Sequence, residues 1–195
     1  MNLLLFETDE HKAFPVIEKT DTRRENPYKG GSWWQKTRAK LYNSYQKLKE
    51  RFDHGEIVCA GLRHAGFLQV YYSSQLSGRE AETSLRYFLE ESSSKHYRWL
   101  WIDGVLAFLG VFLTWVPGPN VFFFYPAVRA MSHYFALQGA RRAQKLEMTF
   151  SVDERINLVQ ENLENLETVR PTVYALESSY NLESLDQQLR HLKKK

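Results

Sequence analysis

The chain has 195 residues, 43% of them hydrophobic, a net charge of +3 and a mean hydropathy of -0.49. This length allows one medium domain or two small ones. The weak positive charge is insufficient to argue for nucleic acid, whose footprint is a concentrated basic face, so no nucleic acid is expected as a partner. The polar mean hydropathy excludes a bundle of spanning helices, and any membrane portion must be a minority of the chain.

Two short segments near the start have the composition of strands. Residues 3–8 begin with Leu3-Leu4-Leu5-Phe6, and residues 67–72 are rich in aromatic and branched side chains. Leu3–Thr8 and Phe67–Tyr72 are therefore predicted to pair as a short two-stranded β structure. The polar stretch between residues 18 and 31, which contains Asn-Pro and Gly-Gly, is predicted to be a linker or a surface loop.

A basic and aromatic helix is predicted to begin at Ser32. Its apolar residues recur at helical spacing, while its other faces are mostly basic. This combination fits either a solvated face over a packed stripe or a helix that lies on an anionic lipid surface. For the second interpretation, the residues predicted to touch the membrane are Trp33, Trp34, Lys36, Lys40 and Lys47.

Further amphipathic helices are predicted on both sides of the most apolar part of the chain. One runs from Arg79 to about Lys95, with its apolar stripe at Ala81, Leu85, Phe88 and Leu89. After residue 150, the same periodicity predicts helices over residues 153–168, 172–178 and 182–192.

The run from Trp99 to Val116 contains one charged residue, Asp103. As a helix it would extend about 27 Å, close to the ~30 Å hydrocarbon thickness of a bilayer. The turn that follows, Pro117, Gly118, Pro119 and Asn120, must break this helix because proline lacks an N–H donor and has a fixed φ. A second apolar arm begins at Val121, so the sequence predicts a membrane-inserted helical hairpin.

Three polar side chains on the two arms are predicted to be partners. Asp103 lies fifteen residues before Gly118 and His133 lies fifteen after it, so the two should share a depth. Arg129 precedes His133 by four residues and projects from the same helical face. A lone charge inside a bilayer costs at least ~2.5 kcal/mol, which favours pairing. Asp103, Arg129 and His133 are the candidate intramembrane ion or proton site.

Basic residues flank both ends of the hairpin segment, which predicts that both termini lie on the cytoplasmic side. The fifteen residues that separate Gly118 from Asp103, or from His133, cover about 22 Å, so a re-entrant hairpin that stops within the bilayer is favoured over a full span. The acidic N-terminus does not match a secretory signal or a mitochondrial presequence. A bacterial cytoplasmic membrane is therefore expected, or the mitochondrial inner membrane if the protein is eukaryotic.

The predicted fold class is mainly α, a membrane-inserted hairpin with flanking amphipathic helices and the short β pairing. Three segments follow from it: an N-terminal cytoplasmic α(+β) region over residues 1–95, the hairpin over 96–145, and a C-terminal cytoplasmic helical region over 146–195. No phosphate loop, nucleophile motif or metal-spaced cluster of histidines and cysteines is present in the sequence. Neither an enzyme nor a cofactor or metal ion is expected.

Between about His96 and Gly139 the Pro-Gly-Pro-Asn turn is followed by aromatic residues and by Tyr125, Arg129, His133-Tyr134, Ala136 and Gly139. With this pattern the segment resembles the mitochondrial potassium-proton exchange-related family. The resemblance implies membrane localisation and a part in monovalent cation homeostasis, with potassium ions and protons as ligands and the lipid bilayer as a partner.

One hairpin cannot enclose a water-lined pathway with alternating access. The protein is therefore expected to act in exchange as a homo-oligomer or as an accessory to a partner membrane protein. In a direct mechanism Asp103 would accept the cation or proton, His133 would titrate, and Arg129 would supply the counter-charge. Two alternatives stay open: a static ion pair that only fixes packing, and a membrane-anchored interaction or scaffold module without transport activity.

Overall fold

The computed structural model describes residues 1–7, 12–18, 53–112, 121–182 and 184–192. In chain order its helices and strands are β1 (Asn2–Glu7), β2 (Ala13–Ile17), α1 (His54–Leu62), β3 (Leu68–Tyr72), α2 (Gly78–Phe112), α3 (Val121–Ala143), β4 (Met148–Val152), α4 (Glu154–Glu161), a 3-10 turn (Leu163–Asn165), α5 (Arg170–Tyr180) and α6 (Leu185–Leu192).

The four strands form one mixed sheet in the order β2-β1-β3-β4. β1 pairs with β2 in antiparallel fashion, with Leu5 opposite Pro15, and with β3 in parallel, with Leu3 opposite Val70. β4 extends the sheet in parallel to β3. Because β1 is central and covered on both faces, its side chains are buried whichever way they point, and this explains its unbroken apolar run.

Each face of the sheet carries its own hydrophobic core. One core joins β1 and β2 to the C-terminal helices α4, α5 and α6, and it includes Leu4, Phe6, Phe14, Val16, Ile156, Leu176, Leu185 and Leu189. The other joins the opposite face to α1 and the first half of α2, and it includes Leu3, Leu5, Val58, Leu62, Leu68, Val70, Leu85 and Leu89. The sheet is thus a middle layer between two helical layers.

The long helices α2 and α3 pack against each other and run in opposite directions. Arg141 lies over the ring of Tyr97, 5.6 Å from its centroid, while Asp103 further along α2 faces Arg129 of α3. α1 packs on α3 through a small cluster of Cys59, Ala136 and Ala140. Three helices therefore meet beside the sheet, and this junction positions the site described below.

Several local predictions are confirmed, with changed boundaries. The predicted strands correspond to β1 and β3, which do pair, although within a four-stranded sheet. The helix predicted from Arg79 and the helix predicted from Trp99 are one continuous helix, α2. The helix predicted over 153–168 ends at Glu161, and Pro171 lies in the first turn of α5. Strands β2 and β4 were not predicted.

The predicted membrane-inserted hairpin is wrong. None of the helices in the described parts of the chain is long and apolar enough to cross a bilayer. The first half of α2 carries many charged residues and packs on the sheet, and α3 contains Pro126 and ends in Arg141 and Arg142. The apolar run was misinterpreted because hydropathy does not reveal which neighbours a helix has. The turn at residues 117–120 and the predicted membrane-surface helix, including Trp33, Trp34, Lys36, Lys40 and Lys47, lie outside the described residues.

Candidate functional site

A glycine allows α1 and α3 to come close together. A Cβ atom built on Gly139 of α3 would lie 1.6 Å from the backbone carbonyl oxygen of Cys59 in α1 and 3.1 Å from the backbone nitrogen of Arg63. Any side chain at this position would collide with the main chain, so glycine permits the close approach. Burial raises the pKa of the Cys59 thiol to about 12, which leaves it a protonated packing group.

A cluster of polar side chains fills the junction of α1, α2 and α3. We call it the His133 network, and its members are Glu56 of α1, His96 and Asp103 of α2, and Arg129, Ser132 and His133 of α3. All but Arg129 are buried, the exposed fraction of both His96 and His133 being 2%. Polar groups removed from water to this degree need partners, and most find them within the network.

The imidazole of His133 lies at the centre. Its Nδ1 is 3.0 Å from Nδ1 of His96, a hydrogen bond in which one of the two nitrogens must carry the proton. Its Nε2 lies 3.2 Å from Nη2 of Arg129 and 3.4 Å from Oδ2 of Asp103. Oε1 of Glu56 is 3.7 Å from Nδ1. The ring is thus placed between two carboxylates, a second imidazole and a guanidinium.

Asp103 has an unsatisfied oxygen. Its Oδ2 atom is buried and has no hydrogen-bond partner among the described residues, although Nε of Arg129 lies 3.7 Å away. The side chain of Asp103 is 9% exposed and that of Arg129 is 30% exposed. A buried carboxylate oxygen without a donor is costly, so this atom would gain from any proton placed on the neighbouring Nε2 of His133.

Glu56 reaches the network from the other side. The hydroxyl of Ser132 donates a hydrogen bond to Oε1 of Glu56. Burial raises the pKa of Glu56, while this hydrogen bond and the charge of Arg129 act against the increase. Burial likewise raises the pKa of Asp103 against the opposing effect of Arg129. Both carboxyl groups therefore hold a proton more readily than they would in water.

The two histidines are shifted in the opposite direction. Burial lowers the pKa of His96 to about 4, with further contributions from the positive charges of Lys95 and Arg129. The pKa of His133 is lowered to about 4 by burial, by His96 and by the same two cations. At neutral pH both imidazoles are therefore neutral, each with one donor and one acceptor nitrogen.

The edge of the network is more open. Nζ of Lys95 and Oδ2 of Asp53 form an ion pair of 2.8 Å between half-exposed side chains. The indole of Trp99 stacks on the ring of His133 with a centroid distance of 6.3 Å and is 43% exposed. The charged groups of Arg129 and Lys95 thus lie between the buried rings and solvent.

The sequence pattern predicted three of the six members of the His133 network. Asp103, Arg129 and His133 were predicted to be partners, and the structure brings the three together. His96 was missed, although it precedes Asp103 by seven residues and so lies on the same helical face. Glu56 comes from α1, and no local signal in the sequence indicates it.

Within the described ranges, no group of three or more histidine, cysteine, aspartate or glutamate residues is placed to hold a metal ion. In the His133 network, the carboxylates of Glu56 and Asp103 lie within 3.7 Å of the His133 ring nitrogens. The pKa of Asp103 is raised and that of His133 is lowered. This arrangement can bind, release or relay a proton.

The chain was compared with known proteins and families. The model of the family described as "Mitochondrial K+-H+ exchange-related" matches residues 19–147, about two thirds of the chain. The matched segment includes every member of the His133 network. No curated protein and no solved structure matches. The family description carries a link to potassium-proton exchange and hence to cation homeostasis in mitochondria. This match shows that the chain belongs to the mitochondrial K+-H+ exchange-related family.

Proposed function

We propose that this protein takes part in potassium-proton exchange at a membrane and that the His133 network is its proton-binding site. The protein would act as an oligomer or as an accessory to another membrane protein, and it would not be an enzyme. The observation that carries the proposal is the position of His133 between Asp103, Glu56 and His96, inside the segment that matches the family model.

The opposed pKa shifts favour proton transfer. Burial raises the pKa of Asp103 and Glu56 and lowers the pKa of His133, so the ordinary gap between carboxyl and imidazole pKa values narrows. When the two values are close, a proton moves between the groups at little cost in free energy. Such a relay needs no large movement, because Nε2 of His133 and Oδ2 of Asp103 are already 3.4 Å apart.

Two arrangements of the network differ by one proton. When His133 is neutral with its proton on Nδ1, it donates to His96, and its Nε2 accepts from Nη2 of Arg129. When a second proton binds at Nε2, this atom becomes a donor and can no longer accept from Arg129. It then donates to Oδ2 of Asp103, the buried oxygen for which the described residues offer no hydrogen-bond partner in the neutral arrangement.

Arg129 would respond to this change. Repulsion from the newly charged imidazolium moves the guanidinium of Arg129 away from Nε2 of His133. The side chain of Arg129 is 30% exposed, so it has room to turn towards solvent or to form a closer ion pair with Asp103. Proton binding at a buried atom is thereby coupled to a shift of the Arg129 charge. In the proposed exchange this shift would change the affinity for a second cation near the network.

A second candidate function is an interaction module without transport. It is favoured by the many exposed large hydrophobic side chains on the second half of α2, such as Trp101 and Phe108. In that case the network would fix only the packing of the three helices. The experiment below separates the two candidates.

The test is potassium-driven proton flux in membrane vesicles from cells that lack the endogenous protein and are complemented with the full chain. We expect the wild type to restore flux and His133→Gln or Asp103→Asn to lower it at least about tenfold, because each variant removes a titrating group. His64→Gln and Asp186→Asn are matched controls outside the network and should restore flux fully.

The proposal is contradicted if loss of the chain leaves flux unchanged, or if His133→Gln restores flux fully at equal protein level. Proteoliposomes that contain only the purified chain then distinguish direct exchange from an accessory role. Flux in the pure system indicates a direct role, and flux only in the complemented vesicles indicates an accessory one. An interaction module predicts that all four variants behave alike.

A further inference from the structure

The second half of α2 presents a line of exposed apolar side chains. Trp101, Val105, Phe108 and Phe112 have exposed fractions of 62%, 52%, 65% and 66%. We call these four residues the α2 seam. They follow one another at steps of four, three and four, so they form one stripe along the helix. This stripe is on the side of α2 opposite Asp103 and Gly110, which are buried towards α3.

The spacing of the seam is that of a helix-helix contact. Alternating steps of three and four residues are the pattern by which two helices pack side chains into each other's grooves. In the described chain, however, the partners of α2 lie on its other side, in α3 and the sheet. The seam therefore has the geometry of an interface and lacks an occupant within the chain as described.

The exposed apolar area of the seam is larger than is usual for a monomer and is close to the area that a protein-protein interface buries. With about 150–250 Å² for each aromatic side chain, the seam together with Ile102 and Leu109 exposes roughly 700 Å². A standard interface buries about 800 Å² on each partner, whereas the largest apolar patch on a typical monomer is about 300–600 Å². One such surface on each of two chains is enough for a specific dimer.

Charge selects the kind of partner. Between residues 99 and 112 the only charged residue is Asp103, which is buried towards α3. A partner that offered charged groups would lose their hydration without gaining a counter-charge, so the occupant must itself be an uncharged apolar helix face. A second copy of the seam meets this requirement. We infer that the α2 seam is the interface of a two-fold symmetric homodimer.

The seam also favours an antiparallel orientation. A two-fold axis between Val105 and Phe108 places the small Val105 of one copy against the large Phe108 of the other, and Trp101 against Phe112. A parallel pairing would set Phe108 on Phe108 and bring each exposed Arg98 beside the same residue of the other copy. The antiparallel dimer avoids this repulsion and fills the interface evenly.

The first experiment is sedimentation equilibrium of the full-length protein over a wide range of concentration. We expect a monomer-dimer equilibrium in which Phe108→Lys raises the dissociation constant at least about tenfold, since a central aromatic anchor is replaced by a charge. Phe124→Lys is the matched control, because Phe124 is 47% exposed on α3 and outside the seam. Circular dichroism checks that both variants remain folded.

Disulfide cross-linking tests the orientation. A mixture of Val105→Cys and Phe108→Cys chains should form the mixed disulfide faster than either variant forms a disulfide with itself, because only the antiparallel pairing opposes these positions. The native Cys59 is buried and should not react. A faster Phe108→Cys self-disulfide would contradict the antiparallel arrangement.

Two results would overturn the homodimer. One is a protein that stays monomeric at every concentration, or a dimer that Phe108→Lys leaves as tight as Phe124→Lys does. The other is a monomeric protein that binds phosphatidylcholine vesicles and loses this binding in Phe108→Lys, since the occupant of the seam would then be lipid. Neither result depends on whether the His133 network binds protons, so this inference stands apart from the proposed function.

Discussion

The two halves of α2 differ sharply in how the protein uses them. In the first half Ala81, Leu85 and Leu89 are fully buried in the core beneath the sheet. In the second half the buried residues are His96, Asp103 and Gly110, while most large apolar side chains are exposed. The first half of this continuous helix therefore contributes stability to the core. The second half contributes polar residues to the His133 network on its buried face and presents an apolar surface on its exposed face.

Removing the same side chain from each half should give very different losses of stability. Leu89→Ala empties a fully buried position in the sheet core and should lower the free energy of unfolding by about 3–5 kcal/mol. Leu106→Ala, at a position that is 47% exposed, should lower it by less than about 1 kcal/mol. Urea unfolding of the two variants beside the wild type measures the difference.

Equal losses in the two variants would contradict this division of α2. A large loss in Leu106→Ala that appears only at high protein concentration would have another meaning. It would show that the second half of α2 is buried by association through a surface that includes Leu106, which lies outside the α2 seam.

The contrast also explains which features the sequence could predict. The stripe of Ala81, Leu85 and Leu89 is a local periodic signal, and the helix predicted from it is present. The apolar run after Trp99 is local too, but its environment depends on distant parts of the chain, and a run of this composition is compatible with a bilayer, a core or an interface. The prediction of membrane insertion failed at this point.

The residues of the candidate site likewise fall into those that the sequence could predict and those that it could not. Asp103 and His133 could be related by counting from Gly118, since the two arms that carry them are adjacent in sequence. Glu56 and the neighbouring helix α1 could not, because their place beside α3 depends on the close approach at Gly139. Strands β2 and β4 were missed for a similar reason, as both are short and are defined by their pairing with β1 and β3.

The helix junction can be tested with one substitution made at two glycines. Gly139→Ala places a methyl group against the backbone of Cys59 and should lower the free energy of unfolding by about 3 kcal/mol, because main-chain atoms must move. At Gly104 a Cβ atom would have no neighbouring atom within 4 Å, so Gly104→Ala should be neutral or raise stability by up to about 1 kcal/mol. Thermal and urea unfolding measure both effects, and a neutral Gly139→Ala would show that α1 and α3 are further apart than the close approach at Gly139 requires.

The smallest expected effect is a pH dependence of the free energy of unfolding, which arises from the His133 network and not from the sheet core. The pKa of His96 and of His133 is about 4 in the folded protein, below the ordinary value of 6.5, so the unfolded chain binds more protons between these values. Their contribution to stability is therefore present above pH 6.5 and is lost as the pH falls towards 4. Glu56 and Asp103 act with the opposite sign, because a raised carboxyl pKa adds stability on acidification and offsets part of the loss.

Replacing one histidine isolates its share. The free energy of unfolding should decrease between neutral pH and pH 4 in both the wild type and His96→Gln. The decrease should be smaller in His96→Gln by on the order of 2 kcal/mol, since one pKa unit corresponds to about 1.4 kcal/mol. The exposed His64 provides the control, and His64→Gln should leave the wild-type dependence unchanged. Urea unfolding across this pH range measures all three proteins. Parallel curves for the wild type and His96→Gln would mean that His96 is solvated, and the second half of α2 would then hold no buried proton-binding network.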